Sequence, residues 1–591
     1  MKKQLLPLTL LFTLLLGVYT TRAQEATENF IREHLAQNQY SIDPDAAAVI
    51  LNEKATVEIM LNNDKYQKRY RCYRLVKILK SSAASEGDVQ YVYYNINSYP
   101  GKIEGATFNM EGGNISKKPL DKNAVYFSDY GGGFRELKFA MPDVKAGSII
   151  EYSYEVYSDI TYQMPVWYFQ NEHPALQSEY ELVYPTRYQF MSIVQSPMLF
   201  KEYTSRAAAF QDNALAYKVS DVRIAQREGM VLWGRRNVPA GTPEPFISSI
   251  SNHIERLDIQ LAGYADHTSV TGITSVISDW KKFTEMLLDD DDLGKPLRER
   301  KEYIEDVVAG LTKGTATDLD KAKKIFNYCR SNFECVDTIS INVERKLKNV
   351  FTGKQGNSAE INLLLIGMLR KAGLDAMPVV LSTLGHVKAD DMYPLLSRFN
   401  QTICLVNINN ERYLLDASNK YNPFGILPVY CYNGYARIVD KRNADSIYIS
   451  SSMLKEKSIN KVSVYGISDT GMDMKIVSIA GMLESKEIRR RLDGKKKNEE
   501  DYITAIANSM ENGVEIVSYS FENLGNPDTN LVINYEIHYK FDKPVTTLYL
   551  QTDYIKFFAE TPFKAMQRRL PVELPFQIDY IYSLNIKTPE G

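Results

Sequence analysis

The stretch GNSAEINLLLIGMLRKAG, residues 356–373, decides the fold at the centre of this chain. Asn357 is a favoured helix N-cap, and Glu360 follows three residues later, which is the pattern of a capping box. Ser358 then becomes the first helical residue, at the positive end of the helix dipole. Leu, Ile and Met occupy nearly every face of the following turns, so the helix is predicted to lie buried in a domain core. Gly373 predicts the left-handed cap that ends it.

Two later segments predict a β-hairpin: FNQTICLV (399–406) and RYLLDAS (412–418). The turn falls at Asn409-Asn410, because asparagine tolerates the positive φ angles that a tight hairpin turn needs. If Ile408 faces Glu411 across this turn, the register of the whole hairpin is fixed.

In this register Asp416 lies opposite Ile403, and Gln401 is its diagonal neighbour on the same face. The hairpin therefore places a polar residue and an acid beside the helix start at Ser358. This layout is typical of a Cys-His-Asp nucleophilic site. In such a site the helix N-terminus lowers the pKa of a thiol, and the acid orients an imidazole.

The segment resembles the transglutaminase-like superfamily, whose signature is roughly Gly-Asn-Cys-x-Asp/Glu, then Phe-Asn-His, then Leu-Asp-Ala-Thr. The resemblance implies a papain-like α+β fold and a cysteine nucleophile. The residues that match the flanks of the signature are Gly356, Asn357, Glu360, Ala372, Gly373, Phe399, Asn400, Leu415, Asp416, Ala417, Phe424, Gly425, Leu427 and Pro428.

The departures from the signature fall on the residues that carry the chemistry. Ser358 stands at the nucleophile position and Gln401 at the base position, and only Asp416 is retained. A serine hydroxyl barely ionises near neutral pH and needs a base more than a thiol does, but glutamine takes up no proton at physiological pH. Loss of the nucleophile or the base costs a triad on the order of 10⁴-fold or more. We therefore predict a degenerate triad without hydrolase or transamidase activity.

Alternatives stay open at these positions. Ser358 is either a serine nucleophile or a helix-start residue left after the thiol was lost, and Asp416 is either an orienting or a structural acid. His386, fifteen residues before Gln401, is a candidate substitute base or an ordinary surface histidine. Cys404 projects to the opposite face of its strand and is predicted to be a buried, inert thiol.

Residues 1–23 are typical of a secretory signal, with a basic start at Lys2 and Lys3, an apolar run and small residues before Gln24. No other apolar run reaches the ~18 residues of a spanning helix. We expect a secreted protein, located in the periplasm, without a transmembrane segment after signal removal. That removal takes away three basic and no acidic residues, so the formal net charge changes from −3 to −6, which disfavours nucleic acid as a partner.

A chain of 591 residues is long enough for several domains, because single cores stop growing near ~250–300 residues. Residues 24–246 alternate strand patterns with turn clusters, which predicts an N-terminal β-sandwich-like domain. Residues 247–440 combine helical patterns with the predicted hairpin, which indicates a central α+β core, and the resemblance implies that this core is papain-like. Strand patterns return over 441–591, with one helical insert at about 484–510, and predict a C-terminal β domain. The chain is thus predicted to be multidomain.

Both outer regions resemble the domains that flank a transglutaminase-like core in many secreted bacterial proteins. Residues 144–154 and 165–170 resemble an N-terminal domain of unknown function. Residues 441–591 resemble the C-terminal β domain, in which further strands often follow. The end at residues 589–591 is therefore either natural or a truncation of the last sheet.

Neither cysteines nor histidines form a recognisable metal site. Five cysteines in such a length make no disulfide framework; Cys329 and Cys335 are either bridged or free. The six histidines lack metal-ligand spacing, and the acidic run 289–292 lacks the alternating spacing of a calcium loop. We predict that this run is a solvated helix end. We predict no metal and no cofactor.

Three hypotheses of function follow. The first, which we adopt, is a non-catalytic transglutaminase-like protein whose former active-site cleft binds a peptide, or another protein or envelope partner, between two β domains. The second is an active acyl-transfer enzyme of the protease or transamidase type that uses Ser358 with an unconventional base. The third is a glycan-binding or scaffold protein of the cell envelope, whose forty tyrosines supply binding faces on strands. Neither the ligand nor the oligomeric state follows from the sequence.

Overall fold

A computed structural model gives the fold of the chain. It describes residues 27–62, 65–94, 97–131, 134–162, 164–195, 216–223, 228–265, 273–277, 279–442, 445–510, 513–550, 554–555, 558, 560–564 and 566–588. The predicted signal, residues 1–23, and the end at residues 589–591 lie outside the described residues.

The N-terminal region consists of helix α1 (Glu28–Ala36) and three sheets. Its strands are β1 (Ala48–Asn62), β2 (Lys65–Ile78), β3 (Asp88–Tyr94), β4 (Ser98–Glu111), β5 (Asn114–Pro119), β6 (Val125–Gly131), β7 (Phe134–Ala140), β8 (Ile149–Ser158), β9 (Trp167–Tyr168), β10 (Ala175–Pro185), β11 (Tyr188–Gln195), β12 (Ala216–Arg223), β13 (Glu228–Val238), β14 (Arg256–Ala265) and β15 (Ile273–Ser275). The largest sheet has the order β12-β13-β10-β1-β2-β8-β4-β5. The others are β11-β14-β15, with β9 beside β14, and β3-β7-β6.

The two smaller sheets pack on one face of the largest sheet. Strand β8 of the largest sheet illustrates this packing. Every second side chain of β8 is buried, and because alternate residues of a strand point to opposite faces, these buried side chains lie on one face. Leu137 of β7 and Ile259 of β14 join one apolar core with the largest sheet. Helix α1 covers the other face through Ile31 and Leu35. The predicted β-sandwich-like region is confirmed.

Strand β14 connects the N-terminal region with the segment that leads into the core. It follows the predicted boundary at residue 246, yet it pairs along its length with β11, which precedes that boundary. Its Asp258 carboxylate accepts a hydrogen bond from the Arg398 guanidinium at 2.9 Å. Arg398 lies three residues before Gln401, so the N-terminal region supports the strand that carries Gln401.

The central region is α+β, as predicted. Its elements are α2 (Trp280–Asp289), α3 (Lys295–Arg298), α4 (Glu305–Thr312), α5 (Asp318–Asn332), β16 (Glu334–Asp337), α6 (Leu347–Gly353), β17 (Gln355–Asn357), α7 (Ser358–Lys371), β18 (Asp375–Leu381), β19 (Gln401–Ile408), β20 (Glu411–Leu415), β21 (Gly434–Ile438) and β22 (Ser446–Ile449). The antiparallel sheet β20-β19-β18-β21-β22 packs against α7 on one face. Its other face meets Leu483 and Phe576 of the C-terminal region.

Helix α7 has both predicted caps. The Asn357 side chain accepts a hydrogen bond from the Glu360 N–H at 2.8 Å, and the Glu360 carboxylate accepts one from the Asn357 N–H at 2.8 Å. At the other end Gly373 has φ +83°, and its N–H donates to the Arg370 carbonyl at 3.0 Å, as in a Schellman motif. Every residue of α7 up to Leu369 is buried, which confirms the predicted core helix.

The predicted hairpin is also confirmed. Asn409 and Asn410 have φ angles of 51° and 67°, and Ile408 pairs with Glu411. The ladder stops at the pair formed by residues 404 and 415. Asp416 is therefore one residue beyond the strand.

The C-terminal region is a sheet with two helices. Its elements are β23 (Lys455–Tyr465), β24 (Gly471–Ile479), α8 (Met482–Leu492), α9 (Lys496–Met510), β25 (Val514–Glu522), β26 (Val532–Lys540) and β27 (Gln577–Ile586), and the sheet order is β25-β26-β24-β23-β27. Asp493 and Gly494, both with positive φ, separate the two helices. None of the helices in the described part of the chain is both long and apolar enough to cross a membrane.

Candidate functional site

The structure brings Ser358 and Gln401 into contact. Ser358 is the first residue of α7 and Gln401 the first of β19, and both side chains are fully buried. The Ser358 hydroxyl donates a hydrogen bond to the Gln401 amide oxygen at 3.3 Å. An amide oxygen accepts a hydrogen bond but takes up no proton at physiological pH, so this contact orients the hydroxyl without activating it.

Asp416 lies close by but bonds to a different residue. Its Oδ1 accepts hydrogen bonds from the Asn362 Nδ2 at 3.0 Å and from the Ser418 N–H at 2.9 Å. Asn362 is four residues after Ser358, so both side chains lie on one side of α7. The acid is thus held by the helix, and no hydrogen bond joins it to Gln401 in the described structure.

Two buried polar atoms at this site have no hydrogen-bond partner among the described residues. They are Nε2 of Gln401 and Oδ2 of Asp416. In a working triad an imidazole N–H would donate to such an acid. Here the donor is Nε2 of Gln401 and the acceptor is Oδ2 of Asp416, but the two atoms are not hydrogen-bonded to each other. Each unpaired buried polar group costs about 1–3 kcal/mol of stability.

A segment of the chain itself lies over Ser358. Residues 338–342, the covering segment, follow β16, and the N–H of Ser340 is its central contact. This N–H is 3.0 Å from the Ser358 Oγ and 3.0 Å from the Gln401 Oε1. A main-chain donor therefore occupies the space directly beside the nucleophile position.

Further hydrogen bonds hold the covering segment in place. The Thr402 N–H donates to the Ser340 carbonyl at 3.0 Å, and the Thr402 hydroxyl donates to the Ile341 carbonyl at 2.8 Å. The Asn357 amide donates to the Asn342 carbonyl at 3.0 Å. Thr402 belongs to β19, which carries Gln401, and Asn357 is the N-cap of α7, directly before Ser358.

The capping-box acid also holds the chain just after the covering segment. Oε1 of Glu360 accepts hydrogen bonds from the Glu344 N–H at 3.0 Å and the Arg345 N–H at 2.7 Å. Its Oε2 binds the Arg345 guanidinium at 3.3 Å. The fully buried carboxylate thus has a structural task and is not free for chemistry.

The imidazole of His386 lies elsewhere. Its Nδ1 is 3.2 Å from the Ser382 hydroxyl, and burial and the nearby Arg256 charge lower its pKa. The other described histidines also bond away from Ser358: His34 to Tyr40, His173 to Glu86, His253 to Glu573 and His538 to Asp473. In the described contacts of Ser358 no imidazole stands in for Gln401.

The cysteines near the site are free thiols. Cys335 of β16 is half-buried, and its Sγ lies 3.1 Å from the Asp337 carbonyl. Burial and the negative charge of Asp416 raise the pKa of Cys335 to about 12, so this thiol stays protonated at neutral pH. Cys404 is fully buried, and burial raises its pKa as well. Cys329 and Cys335 are not bridged.

The acidic run predicted to be a solvated helix end follows α2. Asp289 pairs with Arg298 and Asp291 with Lys295, all exposed. Across the described ranges, no group of three or more His, Cys, Asp or Glu side chains is arranged to hold a metal ion.

Asn362 and Ser340 were not singled out from the sequence. Asn362 did carry a signal, since it is polar within the apolar run of α7. Ser340 carried none, because it lies in an irregular segment 18 residues before Ser358.

Two family models match the chain. Residues 305–397 match the Transglutaminase-like superfamily, and residues 64–204 match DUF3857, a domain of unknown function with a solved structure. The first match contains Ser358 and ends before Gln401 and Asp416. No curated protein matches the sequence.

Three solved structures are similar to the chain to different degrees. A candidate protease from Parabacteroides distasonis is 14% identical, with a TM-score of 0.51, over 84% of this chain and 94% of that one. A candidate cysteine protease from Cytophaga hutchinsonii is 9% identical, with a TM-score of 0.17, over 60% and 76%. An M1 zinc metallopeptidase from Deinococcus radiodurans is 6% identical, with a TM-score of 0.18, over 38% and 45%.

The first of these similarities indicates a shared overall fold, and the two low TM-scores do not. The capped helix, the sheet behind it and the two family matches agree with one another. The chain contains a domain of the transglutaminase-like superfamily, preceded by a DUF3857 domain and followed by a C-terminal β region.

Proposed function

We propose that the transglutaminase-like domain of this protein is non-catalytic. The observation that carries the proposal is the contact between Ser358 and Gln401, in which an amide stands where a general base is needed. A serine hydroxyl without a base is a poor nucleophile near neutral pH. The unpaired Oδ2 of Asp416 supports the proposal, since this acid has no imidazole to orient.

The covering segment is a second, independent support. A substrate carbonyl must come to about 3–3.5 Å from the nucleophile, and the Ser340 N–H is already at 3.0 Å from the Ser358 Oγ. Ser358 is fully buried. Acyl transfer at this serine would require both a base and displacement of residues 338–342.

We further propose that the protein is secreted into the periplasm and works by binding a peptide, another protein or another component of the cell envelope. Because the covering segment lies over the former nucleophile, we place partner binding on the flanking β regions. The transglutaminase-like domain then holds these two regions in a fixed arrangement. Exposed aromatic side chains such as Tyr126 and Tyr549 are the type of group that such binding uses.

The direct test is reaction with an activated-serine reagent. The purified chain is incubated with a fluorophosphonate and, separately, with glutamine- and lysine-bearing peptides, and adducts are mapped by mass spectrometry. We expect no adduct on Ser358 and no cross-linked peptide. An adduct on Ser358 that disappears in Ser358→Ala would refute the proposal and establish the acyl-transfer alternative.

A restoration experiment tests the reason for inactivity. Ser358→Cys supplies the nucleophile and Gln401→His the base, and each single variant is the matched control for the double variant. We expect thiol reactivity toward iodoacetamide to rise in the double variant above both single variants, because a cysteine next to an imidazole ionises more readily. The three variants are compared in a Ser340→Pro background, in which the covering segment is disturbed, and equal reactivity there would mean that Gln401 does not hold the base position.

The proposed periplasmic location is tested with the predicted signal sequence alone. Residues 1–23 are fused to a reporter enzyme that is active only outside the cytoplasm, and a fusion with Lys2 and Lys3 replaced by glutamate is the control. We expect activity with the natural segment and a strong reduction with the control, because a signal needs its basic start. Retention of the natural fusion in the cytoplasm would exclude the periplasmic location.

A further inference from the structure

A cavity lies at one end of the C-terminal sheet, far along the chain from Ser358. Its volume is about 460 Å³, and its floor contains Met472 of β24 and Tyr539 of β26, which are ladder partners. Small-molecule sites occupy roughly 300–1,000 Å³, so the cavity is of suitable size.

The wall of the cavity is the segment that follows β26, and main-chain hydrogen bonds fix it. The Phe541 N–H donates to the Thr470 carbonyl at 2.9 Å, and the Val545 N–H donates to the Asp469 carbonyl at 2.8 Å. Both acceptors lie in the turn between β23 and β24. The wall is therefore anchored to the sheet, which favours a preformed site.

Aromatic rings line much of this cavity. The rings of Tyr539 and Phe541 meet edge to face, with centroids 5.5 Å apart. Tyr554 also contributes to the lining, and Tyr549 stands at the rim with 90% of its surface exposed. A ring so exposed gains little from the fold itself, because it is hardly removed from water.

Two adjacent charged residues complete the lining, Asp542 and Lys543. Both are exposed, and neither forms a hydrogen bond or an ion pair within the residues that the structure describes. A carboxylate accepts hydrogen bonds and an ammonium donates them. The cavity thus offers one acceptor and one donor that folding leaves uncommitted.

We propose that this cavity binds a neutral oligosaccharide. The C–H face of a sugar ring packs on an aromatic ring, and sugar hydroxyls both donate to a carboxylate and accept from an ammonium. Because Asp542 and Lys543 carry opposite charges side by side, their fields largely cancel for a ligand with a net charge. A neutral polyhydroxylated ligand satisfies both groups at once.

This inference rests on the proposed binding role of the flanking β regions, for which it names a ligand class, but it shares no residue with the Ser358 site. Absence of sugar binding would therefore leave the non-catalytic proposal for Ser358 unaffected. Sugar binding would place the recognition function of the chain on the C-terminal region.

The test is isothermal titration calorimetry with the whole mature chain, residues 24–591. The ligands are neutral tetrasaccharides of glucose and of N-acetylglucosamine, with a tetrasaccharide of uronic acids as the charged comparison. We expect binding of at least one neutral ligand and weaker binding of the charged one. Tyr549→Ala should lower the affinity for the neutral ligand about fivefold to tenfold. Asp542→Asn and Lys543→Ala should each lower this affinity as well.

Tyr448→Ala is the matched control, since Tyr448 is also highly exposed but lies on β22 of the central region. Its affinity should equal that of the unchanged chain. Thermal unfolding of each variant verifies that the fold is intact. The proposal is overturned if no neutral tetrasaccharide binds at millimolar concentration, if Tyr549→Ala binds as well as the unchanged chain, or if the uronic acid ligand binds more tightly.

Discussion

The backbone N–H of Ser340 lies 3.0 Å from the hydroxyl oxygen of Ser358 and donates a hydrogen bond to it. The same N–H reaches the Gln401 amide oxygen at 3.0 Å. A single main-chain donor thus meets both of the side chains that stand at the nucleophile and base positions. The protein's own backbone takes the place that an incoming acyl group would need.

The first prediction concerns access to this position. In a Ser358→Cys, Cys335→Ser background, Ser340→Pro should speed alkylation of the new thiol by about tenfold or more, because proline has no N–H to donate and disturbs the covering segment. Iodoacetamide labelling followed by peptide mass mapping measures the rate. Ser340→Ala is the matched control, since it keeps the N–H, and it should leave the thiol protected. Equal rates in the proline and alanine variants would show that this hydrogen bond does not close the site.

Asn362 is the basis of the second prediction. Its amide donates to the Thr402 carbonyl at 3.1 Å and to Asp416 at 3.0 Å, and its carbonyl oxygen accepts from the Ala417 N–H at 2.9 Å. Asn362→Leu keeps the size of the side chain but leaves buried partners unpaired, at about 1–3 kcal/mol each. We expect a loss of about 3 kcal/mol or more in the free energy of unfolding, measured by urea denaturation.

The control for this variant is Asn349→Leu. Asn349 lies on an exposed face of α6, and its substitution should change the free energy by no more than about 0.5 kcal/mol. If Asn362→Leu behaves like Asn349→Leu, the hydrogen bonds of Asn362 contribute nothing measurable to the core.

Local sequence signals were enough to predict the elements that position the site. The caps of α7 depend on Asn357, Glu360 and Gly373, and the hairpin register depends on Asn409-Asn410. Each is a short-range rule about backbone geometry. Such rules act within a few residues, and the structure confirms both caps and the hairpin that they predict.

Contacts between distant segments could not be predicted in this way. Ser340 meets Ser358 because an irregular segment folds back over α7, and no periodicity marks such a path. The helical insert predicted over 484–510 is interrupted at Asp493-Gly494, where positive φ angles end α8. The Asp-Gly dipeptide is a turn signal, but the helical pattern on both sides of it led to the prediction of a single helix. Asp416 was predicted to pair with Ile403 in the hairpin. The strand pairing ends one residue earlier, at Cys404 and Leu415, and Asp416 instead accepts a hydrogen bond from Asn362.

The third prediction concerns the contact between the central and C-terminal regions. The Arg330 guanidinium binds Asp528 with two hydrogen bonds, at 2.9 and 2.7 Å, and also donates to the Asn422 carbonyl at 2.7 Å. Burial raises the pKa of Asp528, but hydrogen bonds from Arg330 and from the Phe424 N–H lower this pKa further, so it lies below its usual value. Asp528→Ala leaves a buried arginine without its carboxylate, so we expect a loss of about 2–4 kcal/mol.

Urea denaturation of Asp528→Ala measures this loss, and Asp445→Ala is its control. Asp445 pairs with Arg412 at 3.4 Å, and both side chains are more than half exposed. Such a surface pair contributes about 0–1 kcal/mol. Similar losses in the two variants would contradict a special role of Asp528 between the regions.

The fourth prediction is a pH dependence that arises at Glu573, where three regions of the chain meet. Its carboxylate accepts hydrogen bonds from the Ser248 N–H at 2.7 Å and the Lys388 ammonium at 2.7 Å, and it lies 3.3 Å from Nε2 of His253. Burial alone would raise its pKa, but the hydrogen bonds from Lys388 and Ser248 lower it from 4.5 to about 2.

A carboxyl group whose pKa is lowered by folding stabilises the fold at pH values above its unfolded pKa. The contribution of Glu573 should therefore be complete above about pH 4.5 and be lost as the pH falls toward about 2. Because water still reaches part of this carboxylate, we expect Glu573→Gln to cost about 1–2 kcal/mol at pH 7. Urea denaturation at pH 7, 4 and 3 should show this cost shrinking as the pH falls. Glu560→Gln, at an exposed carboxylate, should cost little at any pH, and a cost for Glu573→Gln that stays constant from pH 7 to pH 3 would rule out the lowered pKa as its cause.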